Sequence, residues 1–339
     1  MRYRQLGNTG MFVSELCLGT MTFGGKGFFE VMGKLQQAEV TAIVARAIEA
    51  GVNFIDTADV YSEGLSETLV GQALKDIGCR RSDIIVATKA YGRMGPGPND
   101  IGTSRGHIMD AVERSLERLG VDHIDLYQLH AQDLVTPVEE VMRALDDLVR
   151  QGLVRYIGCS NWSAWRVAKA NTMAGLRNWT RFTTIQSYYS LAGRDIEREI
   201  VPMLEDEKMG LMVWSPLAYG ILSGKFGPDT APADSRRTNF DFPPVDKAKV
   251  WKIVEAMREI GAPKGASPAR VAIAWILSRP FVTSVIMGVK SLNQLNDNLA
   301  ASELVLSADE IRQLDELSAL APEYPGWMIP RQNTGRRPN

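Results

Sequence analysis

Short apolar runs alternate with longer amphipathic ones along the chain. The runs that predict strands are Leu16–Gly19, Asn53–Asp56, Ile84–Lys89, Ile124–His130, Val154–Ser160, Thr184–Tyr188, Leu211–Ser215 and Ser284–Met287. Between them, apolar residues recur at three- and four-residue steps. That spacing predicts helices over Gln37–Ala50, Glu67–Ile77, Arg105–Leu119, Val138–Gln151, Ala164–Met173, Ile196–Glu207, Lys247–Ile260 and Leu292–Ala300. Several strands are apolar throughout, as parallel strands covered on both faces are. Eight βα units in 339 residues predict an α/β fold, a (β/α)8 TIM barrel. A doubly wound sheet is the rival, but no G-x-G-x-x-G follows the first strand.

Other segments decorate this frame. Tyr3 to Glu15 alternates around Gly7-Asn-Thr-Gly10 and predicts an N-terminal hairpin plugging the barrel bottom. Residues 93–106 and 218–245 predict long loops after the third and seventh strands, on the face where barrels carry function. Ser267–Ser278 and Ser307–Leu320 predict extra C-terminal helices, and residues 322–339 an irregular tail. No linker divides the chain, so the expectation is one barrel domain over 1–339.

Composition narrows the function classes. The chain is 45% hydrophobic and 23% charged, with a net charge of −2. No basic field argues for nucleic acid or an anionic membrane as partner. Three widely spaced cysteines and three histidines show no metal-ligand spacing, so no metal is expected. The N-terminus has no apolar signal core, and the uncharged stretch 209–224 is broken by Pro216 and Gly220. A cytoplasmic protein acting on a small molecule is the expectation. Nothing here bears on its oligomeric state.

Chemistry in such barrels lies at the C-terminal strand ends. Asp56, Lys89 and His130 fall there on three consecutive strands, and Tyr61 follows Asp56 in Asn53-Phe-Ile-Asp-Thr-Ala-Asp-Val-Tyr61. Singly, each has an ordinary explanation: a loop cap, a solvated strand end, a hydrogen-bonded core histidine, a packed ring. Together they form a proton-transfer set. An ammonium at Lys89 favours the Tyr61 phenolate and lowers its pKa from about 10 toward working pH. Asp56 holds Lys89 charged and in place. Tyr61 then donates a proton for carbonyl reduction or accepts one for alcohol oxidation, and His130 hydrogen-bonds the carbonyl oxygen. No side chain supplies hydride, so a cofactor is required.

These residues, with Leu18-Gly-Thr-Met-Thr-Phe-Gly24, Gly64-Leu-Ser-Glu67, Leu126-Tyr-Gln-Leu-His130, Ile157-Gly-Cys-Ser-Asn161, Val213-Trp-Ser-Pro-Leu-Ala218 and Met287-Gly-Val-Lys290, resemble the aldo-keto reductases. These are nicotinamide-dependent (β/α)8 barrels, and the similar branch holds potassium-channel β-subunit-like and bacterial oxidoreductase members. The resemblance implies NADPH (NADP+) as cofactor. It places Lys290 and Gln294 near the 2′-phosphate and Asn298 near adenine; a lysine beside a helix N-terminus suits a phosphate. It places Trp214 against the nicotinamide ring and Ser160, Asn161 and Gln186 at its carboxamide. Ser215, Pro216, Leu217, Ala218, Gly220 and Lys225 match the pyrophosphate strap, which Arg236 closes. Gly19, Thr20 and Met21 match the first-strand contact, and Gly288 falls in the last-strand motif. Phe23, Tyr91 and Trp162 are candidates for the substrate pocket, with Phe28, Phe29, Met94, Tyr188 and Phe240. Two rivals stay open: a nucleotide-binding regulatory subunit that turns over slowly, and a Schiff-base barrel enzyme using Lys89.

Overall fold

Side chains along a barrel strand alternate between the interior and the helical coat, and this parity sorts the predicted runs. The computed structural model describes residues 1–227 and 242–336. Its strands are β1 (Tyr3–Gln5), β2 (Phe12–Ser14), β3 (Leu16–Gly19), β4 (Phe54–Asp56), β5 (Ile85–Ala90), β6 (Ile124–Leu129), β7 (Val154–Ser160), β8 (Thr184–Tyr188), β9 (Gly210–Trp214) and β10 (Val282–Gly288). From β3 to β10 they close into one parallel barrel in chain order, β10 pairing with β3. Cys17, Phe54, Ile85, Ala87, Leu126, Met212 and Ile286 point inward as one apolar layer. Their neighbours in sequence, such as Leu18, Ile55, Val86, Tyr127 and Val213, belong to the larger core between barrel and helices.

The hairpin β1–β2 closes the lower end, as its pattern predicts. Leu6 and Val13 are fully buried in the inner layer. Glu15 takes the guanidinium groups of Arg2 and Arg4, and Arg4 also donates to the carbonyls of Leu277 and Val282. Gly7 has φ +56°, and a Cβ there would lie 2.3 Å from the Thr183 carbonyl oxygen. Only glycine lets the hairpin seat this closely.

The helices are α1 (Gln37–Glu49), α2 (Leu65–Ile77), α3 (Arg105–Leu119), α4 (Val138–Arg150), α5 (Ala164–Arg177), α6 (Ile196–Glu207), α7 (Lys247–Gly261), α8 (Pro268–Leu277), α9 (Leu292–Leu299), α10 (Ala308–Ser318) and the short α11 (Met328–Gln332). One assignment differs from the sequence expectation. The helix before β10 that packs on that strand is α8, which periodicity marked only as an addition. It is apolar nearly all round and buried, the signature of a helix enclosed on every side rather than of a half-exposed coat. α7, with the clearer amphipathic stripe, packs outside it and against α10. Within the tail predicted irregular, α11 forms a single short helix. Among the described residues, no helix is long and apolar enough to cross a membrane.

Asp133 ties two top-face loops together. Its carboxylate accepts from the N–H and hydroxyl of Thr103, the N–H and hydroxyl of Thr136, and the N–H of Val135. Burial alone would raise its pKa, but these donors outweigh it and hold the carboxyl well below the usual range. A depressed carboxylate stabilises the fold above its unfolded pKa of about 4 and loses that contribution as pH falls through the folded value. Asp133→Ala is expected to cost ~2–4 kcal/mol at neutral pH by stranding buried donors. The deficit should begin to shrink below about pH 4. Denaturant unfolding of both proteins at neutral and acid pH checks this; a deficit unchanged at acid pH would rule out the carboxylate as its cause.

Candidate active site

The inward parity that builds the apolar layer changes character one step up the barrel. On β4 the inward residue above Phe54 is Asp56, and on β5 Lys89 follows Ile85 and Ala87. On β6, Gln128 follows Leu126, with His130 just past the strand end. Gln186 lies on the same face of β8, two residues before its last residue, Tyr188. The residues predicted at separate strand ends therefore meet in one polar layer.

Lys89 is its centre and is 0% exposed. Its Nζ donates to Asp56 Oδ2 at 2.6 Å, to the Thr57 carbonyl at 2.8 Å and to the Tyr61 hydroxyl at 3.4 Å. Each ammonium proton thus has an acceptor, which a charge removed from water requires. The other Asp56 oxygen, Oδ1, accepts from Gln128 Nε2 and from Gln186 Nε2, each at 3.0 Å. Burial works against the Lys89 charge, but Asp56 and Tyr61 overcome it and hold its pKa above the usual lysine value.

Tyr61 reaches this layer through an unusual turn. Ser62, Glu63 and Gly64 have φ of 51°, 57° and 89°, three left-handed residues in a row. Such strain persists only where surroundings enforce it. Ser62 supplies the anchor: its hydroxyl donates to the Phe23 carbonyl and accepts from the Gly25 N–H. The Tyr61 ring then lies 5.2 Å from that of Phe29 and edge-on to His130 at 5.5 Å. Outside the barrel, buried Glu67 on α2 accepts from the Thr88 hydroxyl and from Arg118 Nε, fixing the opposite face of β5.

The electrostatics correct one expectation. Lys89 does pull the Tyr61 pKa down, but burial pushes it up more strongly, and the phenol ends above its ordinary value. In the free site Tyr61 is a neutral phenol at pH 7, not a partly ionised phenolate. Burial, then the Lys89 charge, pushes His130 down to about 3. His130 is therefore neutral at pH 7. Its ring nitrogens have no hydrogen-bond partner among the described residues, leaving an N–H to offer.

The positions assigned by resemblance distribute around the same rim. Ser160 is 1% exposed and its hydroxyl has no partner among the described residues. Asn161, at φ 58°, accepts from Trp214 Nε1 and donates to the His130 carbonyl. Trp214 is half-buried, 5.2 Å from the Tyr188 ring and parallel to Phe242 at 6.0 Å. Gly19 and Gly288 sit side by side in register; a Cβ on Gly19 would lie 2.5 Å from Ile286, whereas Gly288 faces open space. Thr20 turns its hydroxyl to Ser66 at 2.8 Å, into the wall, and Met21 is half-buried. After β9 the backbone curls through left-handed Ser215, Ala218, Tyr219 and Gly220, with Pro216 and Leu217 inside the curl. Lys225 is exposed, while Arg236 and Phe240 lie outside the described residues. The Lys290 N–H donates to Gln294 Oε1, Ser291 caps α9, and Asn298 is buried on that helix.

Two substrate-pocket candidates sit in the wall. Phe23 is fully buried, and Trp162, 2% exposed, donates to the Ala131 carbonyl and packs on Phe182. Tyr91 is half-buried and Phe28 is exposed; Phe29 is the first-loop aromatic against the phenol. Met94 lines a flank cavity of about 590 Å³ with Asp59 and Arg118, which none of Asp56, Lys89 and His130 lines. Gln128 and the Thr57 carbonyl were not picked out from the sequence. Strand parity was the available signal for Gln128, two residues before His130 on the same face.

The comparisons agree with this architecture. The model of the aldo/keto reductase family matches residues 15–319. A rice protein named probable voltage-gated potassium channel subunit beta is 36% identical over 332 residues, covering 96% of this chain and 98% of that one. An uncharacterized oxidoreductase of Bacillus subtilis is 36% identical over 341 residues, covering 96% of this chain and 100% of its own. Versiconal hemiacetal acetate reductase of Aspergillus parasiticus is 35% identical over 354 residues, covering 96% and 99%. With the family's model matched from the first barrel strand to α10, and relatives covering nearly its full length, this chain belongs to the aldo/keto reductase family of oxidoreductases.

Proposed function

We propose that the protein reversibly transfers hydride between NADPH and an aldehyde, ketone or sugar carbonyl, with Tyr61 as general acid and base. One observation carries this reading: a single buried ammonium, Lys89, donates at once to Asp56, to the Thr57 carbonyl and to the Tyr61 hydroxyl. That arrangement suits a tyrosine that must release and recover a proton.

Several features of the rim suit a nicotinamide cofactor. The partnerless Ser160 hydroxyl beside Gln186 suits a carboxamide, and Trp214 offers a ring at the mouth. Gly288, where a Cβ would meet nothing within 4 Å, lets a ligand approach backbone. Lys290 at the capped start of α9 suits a phosphate. The bound cofactor would supply the hydride that no side chain can.

The protein's own part is proton handling. As negative charge gathers on the carbonyl oxygen, neutral His130 donates its N–H there and Tyr61 gives up its proton. The phenolate that remains is balanced by Lys89, and Lys89 by Asp56. Since burial keeps the free phenol protonated, the site rests in the state reduction needs. The Schiff-base rival needs a neutral, accessible amine, whereas Lys89 is buried, charged and fully hydrogen-bonded. A slow-turnover regulatory role draws support from the names of the potassium-channel-type relatives, and it would use this same site.

Turnover with NADPH and a panel of carbonyls separates those two readings. Tyr61→Phe should lower reduction by at least ~10²-fold while leaving cofactor affinity nearly unchanged. Near-normal turnover in that variant would remove Tyr61 from the chemistry. Lys290→Ala should weaken NADPH about tenfold or more and NADH little, since only the former carries the extra phosphate. Calorimetric titration of both cofactors checks this; equal losses would mean that Lys290 does not read the phosphate.

A further inference from the structure

The polar layer contains one residue with no role so far. Gln128 is fully buried, and both ends of its amide are engaged. Its Nε2 donates to Asp56 Oδ1 at 3.0 Å, and its Oε1 accepts from Gln186 Nε2 at 3.2 Å. A buried amide satisfied at both ends fixes the groups it touches, because any rotation would strand a donor or an acceptor. Asp56 is thereby held with Oδ1 on the two glutamines and Oδ2 on Lys89.

We infer that Gln128 is a positioning residue that sets the acidity of Tyr61 through Asp56 and Lys89. The inference rests on reading Tyr61 as the proton donor, and it deepens that reading. The Lys89 ammonium is shared unequally, at 2.6 Å from Asp56 and 3.4 Å from the Tyr61 hydroxyl. Whatever satisfies Asp56 from its other side decides how much of that ammonium remains for the phenolate. Gln128 turns the positive end of an amide dipole onto Oδ1 and so supplies part of the compensation Asp56 needs. Without it, Asp56 draws harder on Lys89, the long contact to Tyr61 weakens, and the phenolate becomes harder to form. Because Gln186 shares the same carboxylate oxygen, a ligand that engages the Gln186 amide at the rim shifts load onto Gln128. Binding at the rim is thereby linked to proton affinity inside the barrel.

The test uses the free protein first. Phenolate absorbance is followed against pH for the wild type and for Gln128→Met, which keeps side-chain length and removes the amide. The same titration of Tyr61→Phe isolates the Tyr61 contribution. The Tyr61 midpoint should rise by about half a unit to one unit in Gln128→Met. It should rise further in Gln128→Glu, where ionisation sets a second carboxylate beside Asp56. With cofactor present, alcohol oxidation, which needs the phenolate, should lose about tenfold in kcat with KM nearly constant, and its pH–rate profile should move to higher pH with the Tyr61 midpoint. An unmoved Tyr61 midpoint in folded Gln128→Met overturns the proposal, as does a loss of oxidation carried by KM. If Gln128→Met does not fold, the Gln128→Glu titration decides, and an unmoved midpoint there overturns the proposal too. Should Tyr61→Phe itself keep turnover, the proton-donor reading fails, while the titration shift still reports whether Gln128 acts on Tyr61.

Discussion

The upper half of this barrel is organised around keeping one charge in a place without water. Removing an ammonium from solvent costs several kcal/mol unless acceptors and an opposite charge receive it. Lys89 is received by a carboxylate from β4, a backbone carbonyl just beyond it and a phenol carried on a strained turn. Each of those must be held in turn. Asp56 is held by two glutamines from β6 and β8, Tyr61 by the Ser62 anchor, and β5 itself by Glu67 from outside. The need to satisfy one buried cation therefore extends through four strands, a helix and the first top-face loop.

Beneath that layer the barrel has the opposite chemistry. Cys17, Phe54, Ile85, Leu126 and Met212 pack with Leu6 and Val13 of the hairpin, and none of them hydrogen-bonds Lys89. The apolar floor keeps the dielectric low above it, so the contacts between Lys89, Asp56 and Tyr61 are stronger than they would be in water. The same low dielectric raises the Tyr61 pKa. Tightening the contacts within the pair and keeping the phenol protonated are two results of a single act of burial.

Much of this was legible in the chain, and the reason is periodicity. Parallel strands buried on both faces appear as unbroken apolar runs, so Val154–Ser160 and Thr184–Tyr188 could be bounded without error. Titratable residues closing such runs stand out, which is why Asp56, Lys89 and His130 were visible. Gln128 was not, because an uncharged amide inside a strand looks like a tolerated polar residue until its partners are known. α8 was undervalued because a helix enclosed on all sides has no contrast between its faces. Trp162 and Phe23 looked like pocket residues because aromatic rings near strand ends look alike in sequence, whether they face a cavity or a wall. The Tyr61 pKa was misjudged because charge can be read from sequence and burial cannot.

Thr88 and Lys89 stand next to each other on β5 and do opposite jobs, one bound to Glu67 outside the barrel and the other to Asp56 within. A strand that paired one residue out of register during folding would exchange them, since a single step inverts every side chain. The ammonium would then face Glu67, an acid able to accept it, and the slipped sheet would have a ready electrostatic reward. Arg118 reduces that reward, because its guanidinium on Oε2 already balances the Glu67 charge from α3. The guanidinium that braces the outside of the barrel thus also weighs against a competing register, one with a closed sheet and its lysine turned away from Asp56 and Tyr61.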